Sequence, residues 1–217
     1  MAKTPTQVVF DQWDGYVREF DDGPVFIGFD VEAAQDDLTD TLTSCARVMI
    51  PIHHPNQNGG PVSPESEHLY ALEDELCQGL ADHGVCCRLV GRVTHAGVRQ
   101  LVFQLEDWEC FRPPVGLWIM AHEDYEIDVA EAEGWDFFDD VIRPSEETWL
   151  YLADSSVVRG LIDAGSDPEK AHALEFVFCG SQRGLRRLAG ALASRGYTAL
   201  PSNDFASGTI EIGRAHV

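Results

Sequence analysis

The hydrophobic positions of this chain repeat at steps of two in some segments and at steps of three and four in others. This alternation of periods predicts a mixture of strands and helices. Residues 25–31 and 46–52 read as strands, and the turn-forming run 21–24 precedes the first of them. Because Pro51 cannot donate a ladder hydrogen bond, we expect the second strand either to lie at a sheet edge or to end there.

A helix is predicted to begin at residue 63. Ser63 can cap it, and Pro64 suits its first position, where a missing N–H has no cost. Gly84 supplies the left-handed residue that ends such a helix. Steps of three, four and four separate the apolar residues of its buried stripe, which are Leu69, Leu72, Leu76 and Leu80.

Three further strands are predicted after this helix. Residues 87–94 and 98–105 flank the turn signal 95–97 and predict a hairpin, and residues 116–122 predict another strand. The order strand, strand, helix, hairpin, strand favours an antiparallel sheet with the helix packed on one face. The predicted fold class is therefore α+β.

The last third of the chain predicts a short strand–helix–strand unit. A brief helix capped by Ser156 and closed by Gly165 comes first, followed by a strand at residues 173–178. Ser181 is expected to cap a second helix, and residues 197–200 to form the second strand. A right-handed crossover would make the two strands parallel, with a partner strand beside or between them.

The distribution of charge divides the chain. Residues 1–143 contain 28 acidic and 8 basic side chains, whereas residues 144–210 contain 8 and 6. We therefore predict an acidic α+β domain over 1–143 and a second unit over 144–210, with the boundary near Pro144.

Residues 211–217 back-translate, from their second base, to a common short-read sequencing adapter followed by a stop codon. We expect an artificial tail there, on a gene truncated near Ile210. The alternative is a genuine C-terminal tail.

Composition narrows the classes of function. The 217 residues carry a formal charge of -22, so phosphate backbones and anionic lipids are repelled, and neither nucleic acid nor a membrane is an expected partner. No run of apolar residues reaches the length of a membrane span, and the first residues do not read as a leader, so we expect a cytoplasmic protein. Its six cysteines include no C-x-x-C pair and are expected to be free thiols.

Candidates for catalysis and cofactor binding are few. His53 and His54 could bind a metal together with Glu65 or Glu67, but adjacent strand residues diverge, and a solvated loop pair is favoured. The segment 180–184 departs from a nucleophile elbow, and Ser181 is explained as a helix cap. Nucleotide-binding glycine motifs are absent from the sequence. No catalytic, metal-binding or cofactor-binding residue is predicted.

Two groups of residues are candidates for partner binding. Trp13 and Tyr16 would share one face of a helix, either as an aromatic anchor for a partner or as a staple holding that helix to the sheet. Arg183, Arg186 and Arg187 form a basic patch on the last predicted helix. That patch is either a docking surface for an acidic partner, or for the acidic domain itself, or an ordinary solvated face.

Residues 8–142 resemble a known bacterial family, the "domain of unknown function 695" family. The resemblance rests on motifs in a characteristic order: Trp13-x-x-Tyr16, Asp22-Gly-Pro24, Gly60-Pro61, Leu72-Glu-Asp-Glu-Leu76, Val90-Gly-Arg-Val-Thr94 and Gly97-x-Arg99. The resemblance brings no established catalytic residue.

The second unit resembles the N-terminal half of the regulator of ribonuclease E activity B family. The motifs are Leu161-x-x-x-Gly165-x-Asp167, Leu174-Glu-Phe-Val-Phe178 and Leu188-Ala-x-x-Leu192-x-x-x-Gly196-Tyr197. This resemblance implies a ferredoxin-like fold, present here as a partial βαβ unit, and inhibition of the endoribonuclease by direct protein binding. The second half of that family's domain has no counterpart in this sequence.

We therefore expect a non-enzymatic protein that regulates a bacterial ribonuclease or RNA-processing assembly by binding a protein partner. The acidic surface suggests a basic protein partner. Its negative charge could imitate the RNA that such a partner binds. The alternative is an enzyme or a small-ligand-binding protein with its site on the N-terminal sheet, which a pocket of convergent polar groups would favour.

Overall fold

The computed structural model describes residues 13–20, 23–35, 41–167, 175–179, 181–195, 198–200 and 209–213. The chain divides into two compact units, Met1–Val157 and Val158–Val217. Among the described helices, none is long and apolar enough to cross a membrane.

A six-stranded antiparallel sheet forms the centre of the first unit, in the spatial order β1-β2-β4-β5-β3-β6. The predicted α+β class is confirmed. The strands are β1 (Trp13–Phe20), β2 (Gly23–Asp30), β3 (Ser44–Pro51), β4 (Cys87–His95), β5 (Val98–Leu105) and β6 (Asp128–Glu133).

Helices cover both faces of this sheet. The helical elements are α1 (Val31–Gln35), α2 (Ser63–Asp82), α3 (Trp108–Ala121), a π-helical turn (Phe138–Ile142) and α4 (Glu146–Asp163). One hydrophobic core lies between the sheet and α2 with α3. A second core on the opposite face includes α1, the π-helical turn and Leu152 of α4. The sequence predicted a helix on one face only, because the short elements of the second core carry little periodic signal.

The central helix and hairpin confirm their predictions. The four leucines of the α2 stripe are at most 2% exposed. Gly84 follows the helix with a φ of 68°, and Gly97 completes the β4–β5 turn with a φ of 79°. The predicted cap is wrong by one position: Ser63 is the first helical residue, and Val62 before it makes no side-chain cap.

The strand predicted at residues 116–122 is wrong, since these residues belong to α3. Asp107 caps that helix by accepting a hydrogen bond from the Glu109 amide at 2.9 Å. Its buried stripe, Phe111, Val115 and Trp118, has helical spacing. Pro113 and Pro114 lie inside the helix, where prolines normally argue for a break.

Three other predictions need correction. Trp13 and Tyr16 lie on a strand, β1, instead of a helix. β3 is an interior strand between β5 and β6, and it ends at Pro51, so of the two alternatives for this proline only the second holds. The helix expected from Ser156 begins ten residues earlier, where the Ser145 hydroxyl accepts from the Thr148 amide.

The second unit contains a three-stranded sheet and one helix beyond the end of α4. β7 (Glu175–Cys179), α5 (Gln182–Ala193) and β8 (Thr198–Leu200) form the predicted strand–helix–strand. β9 (Thr209–Gly213) lies between β7 and β8 and is antiparallel to both, as a partner strand between parallel neighbours requires. Residues 211–213 of the expected artificial tail are part of β9; the origin of that tail stays a prediction.

We predict that Gly91→Ala destabilises the first unit. The register of β4 against β5 shifts between Leu89 and Gly91, and a Cβ at Gly91 would overlap the fully buried side chain of Ile142. Overpacking of this kind costs about 1–3 kcal/mol in the free energy of unfolding. Gly28→Ala is the matched control, because its Cβ would lie 3.8 Å from the Arg92 Cβ, an ordinary contact. Urea denaturation of both variants measures the difference; equal midpoints would contradict the packing argument.

Candidate functional site

A row of side chains crosses four strands of the sheet on the side of α2. Phe26 of β2 pairs with Thr94 of β4, Thr94 pairs with Arg99 of β5, and Arg99 pairs with Ile50 of β3. Directly paired residues of antiparallel strands point to the same face. An arginine and a threonine are thereby placed beside the apolar core that the sheet forms with α2 and α3.

A pocket of about 270 Å³ lies over this row. Phe26, Thr94 and Arg99 line it from the sheet, Ser66 lines it from the first turns of α2, and the loop 55–61 closes it with Asn56 and Gly60. Its polar groups are therefore a guanidinium, two hydroxyls and an amide.

The loop over the pocket is held in place by its own hydrogen bonds. The Asn56 Oδ1 accepts from the amides of Asn58 and Gly60, at 2.8 and 3.1 Å. Gly59 packs against the β4–β5 turn, where its carbonyl accepts from the Gly97 amide at 3.0 Å. A Cβ at Gly59 would lie 2.8 Å from the Ala96 nitrogen, and its φ is 76°, so only glycine fits. The wall of the pocket is thus formed before any ligand arrives.

Arg99 is the charged residue of the pocket lining, and it is only 6% exposed. Its Nε donates to the Thr94 hydroxyl at 3.3 Å, and its Cζ lies 4.8 Å from the centre of the Tyr70 ring. Its Nη1 is buried and has no hydrogen-bond partner among the described residues. Burial lowers the pKa of Arg99, an effect that Tyr70 and Glu73 oppose and Arg92 reinforces. Arginine nevertheless stays protonated at neutral pH.

Arg92 lies on the same face and does have a carboxylate partner. Its Nε donates to both carboxylate oxygens of Glu73, at 2.8 and 2.6 Å, and the Glu73 side chain is 3% exposed. Its Cζ also stacks over the Trp13 ring at 3.8 Å. Glu73 therefore neutralises Arg92, and Trp13 covers it.

These residues form one group, the arginine cluster: Trp13, Tyr70, Glu73, Arg92 and Arg99. The Tyr70 ring lies between the two guanidinium groups, 5.6 Å from the Arg92 Cζ. The cluster contains two positive charges and one negative charge. Of the ion pairs in the described part of the chain, none involves Arg99.

The two aromatic residues predicted to act together are on opposite faces of β1. Trp13 and Tyr16 are three positions apart, and side chains an odd number of positions apart point to opposite faces of a strand. Trp13 therefore points toward the arginine cluster and Tyr16 into the second core. The Tyr16 hydroxyl donates to the Ile142 carbonyl at 2.8 Å, and burial raises the pKa of Tyr16. The shared helix face predicted for the two rings is therefore wrong, and Tyr16 packs in the second core. Partner binding by Trp13 or Tyr16 stays a prediction.

The three arginines of the predicted basic patch are exposed on α5, in the second unit. Ser181 caps this helix by accepting from the Gly184 amide, as predicted, and Leu185 of the apolar stripe is buried. Arg183, Arg186 and Arg187 therefore present their charge on the side away from Leu185.

Glu65, a candidate metal ligand with His53 and His54, has a different role in the structure. The Glu65 carboxylate accepts from the backbone amides of His53 and His54, at 2.5 and 2.9 Å, which fixes the chain after β3. The His53 ring stacks on Tyr125 with centroids 4.1 Å apart. Within the described ranges no group of three or more His, Cys, Asp or Glu side chains could hold a metal ion.

The thiols whose positions are described are free. Burial raises the pKa of Cys45, Cys77 and Cys87 to about 11, so these three are protonated at neutral pH. Protonated thiols are weak nucleophiles, and their place is in the packing of the cores.

A second pocket, of about 500 Å³, lies between β1 and α4 and is lined by Gly15, Val17 and Tyr151 among others. Its one arginine, Arg18, already donates to the carbonyls of Asp140 and Arg143, at 3.2 and 3.0 Å. The other charged residue of its lining, Glu147, is exposed to water. Neither of these charges is deeply buried, whereas Arg99 is, and for that reason the pocket at Arg99 is the candidate site.

Residues 11–142 match a family that is described as a family of unknown function (DUF695). The chain belongs to this family. Of the six motifs that carried the resemblance in sequence, five supply residues of the pocket or the arginine cluster. They are Trp13-x-x-Tyr16, Gly60-Pro61, Leu72-Glu-Asp-Glu-Leu76, Val90-Gly-Arg-Val-Thr94 and Gly97-x-Arg99. No curated protein and no solved structure matches the chain.

Sequence reasoning did not single out Arg92 or Arg99 as site residues. Arg99 lies two residues before Leu101, which is buried in the core on the side of α2, so an inward-pointing arginine was the available signal there. A register shift between Leu89 and Gly91 places Val90 in the opposite core and breaks this alternation for Arg92. An inward-pointing arginine identifies a site residue only when the partner of its charge is known.

We predict that Glu73→Gln lowers the free energy of unfolding by about 1–3 kcal/mol, because it removes the charge from a buried hydrogen-bonded pair. Glu75→Gln, two residues along α2, is the matched control, since the Glu75 side chain is 58% exposed and its carboxylate pairs with His122 at the surface. Surface pairs contribute about 0–1 kcal/mol. Chemical denaturation at pH 7 compares the two; equal losses would show that Glu73 is not a structural counter-ion of Arg92.

Proposed function

We propose that the first unit is a small-ligand-binding domain whose site is the pocket at Arg99. The single observation that carries this proposal is the convergence of four polar side chains on one preformed pocket. Ligand sites are concave, usually preformed, and contain few polar groups among apolar ones. Of the two functions that the sequence left open, this is the alternative with its site on the N-terminal sheet.

The chemistry of the pocket favours binding over catalysis. A general acid or base must change its protonation near neutral pH, and a nucleophile needs an activating base. The guanidinium, hydroxyl and amide groups here hold and orient a ligand but do not exchange protons at pH 7.

We predict that small molecules from a mixed library of neutral and charged compounds bind this pocket in the full chain. Backbone ¹H–¹⁵N spectra recorded during titration should show saturable shifts that concentrate at Asn56, Ser66 and Thr94. Ser66→Leu fills the pocket and should abolish those shifts. Ala71→Leu is the control, because it adds the same side chain to the exposed face of the same helix. Shifts that survive Ser66→Leu, or a library without a hit at the pocket, would overturn the proposal.

We propose a second function for the second unit, which is regulation of an endoribonuclease through protein contact. The observation that favours it is the exposed basic face of α5, on the segment that resembles the regulator of ribonuclease E activity B family. Opposite potentials across an interface steer association and fix its register. An acidic surface on the enzyme assembly would be the complement.

We predict that the full chain binds a purified ribonuclease E-type enzyme at low salt and slows its cleavage of RNA. Arg186→Glu should weaken this binding at least about tenfold, because it replaces attraction with repulsion at the contact. Arg112→Glu, on an exposed position of α3, is the control for total charge. Binding assays at two salt concentrations measure both variants. Absence of binding at low salt, or equal loss in the two variants, would refute the regulatory proposal.

A further inference from the structure

The arginine cluster lacks one negative charge. Glu73 accepts from Arg92 through both of its oxygens, and it reaches Arg99 only as an electrostatic attraction without an ion pair. The closer partners of Arg99 among the described residues are the Thr94 hydroxyl and the Tyr70 side chain. Neither partner carries a negative charge at pH 7. The chain as a whole carries a formal charge of -22, so the deficit is local and is not explained by a shortage of acidic residues.

A buried guanidinium without a counter-ion is costly, since its charge has lost water and gained no equivalent partner. The Nη1 of Arg99 is enclosed without a hydrogen-bond partner among the described residues, and the same burial lowers the pKa of Arg99. Arg92, on the same face, has the Glu73 carboxylate as its partner. Arg99 is also one of the residues that line the pocket, so a ligand there contacts this side chain.

We propose that the missing charge is supplied by the ligand, and that the pocket binds the oxyanion group, a carboxylate or a phosphate, of a small molecule through Arg99. This inference rests on the proposed ligand-binding function and names its chemical class. Arginine presents paired N–H donors in a fork that matches both groups, and such charge-assisted hydrogen bonds are among the strongest in proteins.

The other groups of the pocket suit the same ligand. The Thr94 and Ser66 hydroxyls and the Asn56 amide can donate to further oxygens of an oxyanion. Ser66 lies in the first turns of α2, and the start of a 20-residue helix carries a partial positive charge that favours anions.

Size and net charge exclude polymeric anions. The pocket of about 270 Å³ admits a small acid or a phosphate ester, not a nucleic-acid chain. Long-range repulsion from the acidic surface increases with the number of charges on the ligand, whereas the contact with Arg99 acts at short range. The arrangement therefore selects small anions of low charge.

The test uses the full chain and two probes, sodium phosphate and sodium acetate, against sodium chloride at matched ionic strength. The first readout is the ¹⁵N–¹H resonance of the Arg99 Nε, identified by its loss in Arg99→Lys. The second is the midpoint of thermal unfolding. Arg47→Gln is the matched control, because Arg47 is a half-buried sheet arginine whose Nε also lacks a partner among the described residues. It lies on the opposite face, with its guanidinium over Phe137, and lines neither of the two pockets.

We expect phosphate, acetate or both to shift the Arg99 resonance saturably and to raise the unfolding midpoint, while chloride does neither. Arg99→Gln should weaken the apparent affinity at least about tenfold, and Arg47→Gln less than about twofold. A preference for one probe identifies the oxyanion as phosphate or carboxylate. If Arg99→Gln does not fold, the titration of the Arg99 resonance in the unaltered chain still decides the matter.

The outcomes separate this inference from the function on which it rests. If neutral molecules bind at Thr94 and Ser66 but neither anion shifts the Arg99 resonance, the oxyanion inference is overturned and ligand binding stands. If no molecule of either kind binds, both fail. Equal effects of Arg99→Gln and Arg47→Gln would assign the anion response to general electrostatics and also overturn the inference.

Discussion

The leucine stripe of α2 is the contact on which both the fold and the candidate site depend. Leu69, Leu72 and Leu76 are buried in one core with Leu101 and Phe103 of β5, so the rotation of the helix about its axis is fixed by apolar burial. Residues beside the stripe on a 3.6-residue helix then have fixed directions as well. Ser66, Tyr70 and Glu73 are among them, and they are the α2 residues that contact the pocket or the two arginines.

Charge, more than shape, distinguishes the site from the rest of the molecule. Arg88, Arg92 and Arg143 each form an ion pair with a carboxylate. Arg99 is buried deeper than any of these and forms no ion pair with a described residue. A fold that excludes water from a cation without balancing it stores free energy that a complementary anion can release on binding. In the proposed function, ligand binding and the electrostatics of Arg99 are therefore one property.

The two units suggest two kinds of binding, one of a small molecule and one of a macromolecule. In the first, the polar groups are few, inward-facing and held by a rigid loop, which suits a small molecule. In the second, the charges of α5 are exposed and spaced along a helix, which suits a macromolecular surface. The family match covers residues of the first unit and assigns no activity to them. The physical argument for each unit therefore rests on its own residues.

The sequence by itself determined the elements whose signals are local. The leucine spacing and Gly84 specified α2, the alternating strands and Gly97 specified the β4–β5 hairpin, and Ser181 specified the start of α5. Tertiary structure decided what depended on distant partners. It made a helix of residues that follow two prolines, because Phe111, Val115 and Trp118 bury their side chains on the sheet. It also decided that Arg92 pairs with Glu73 while Arg99 forms no ion pair within the described residues. The partner of a charge is fixed by what the fold brings near it and not by its neighbours in the chain.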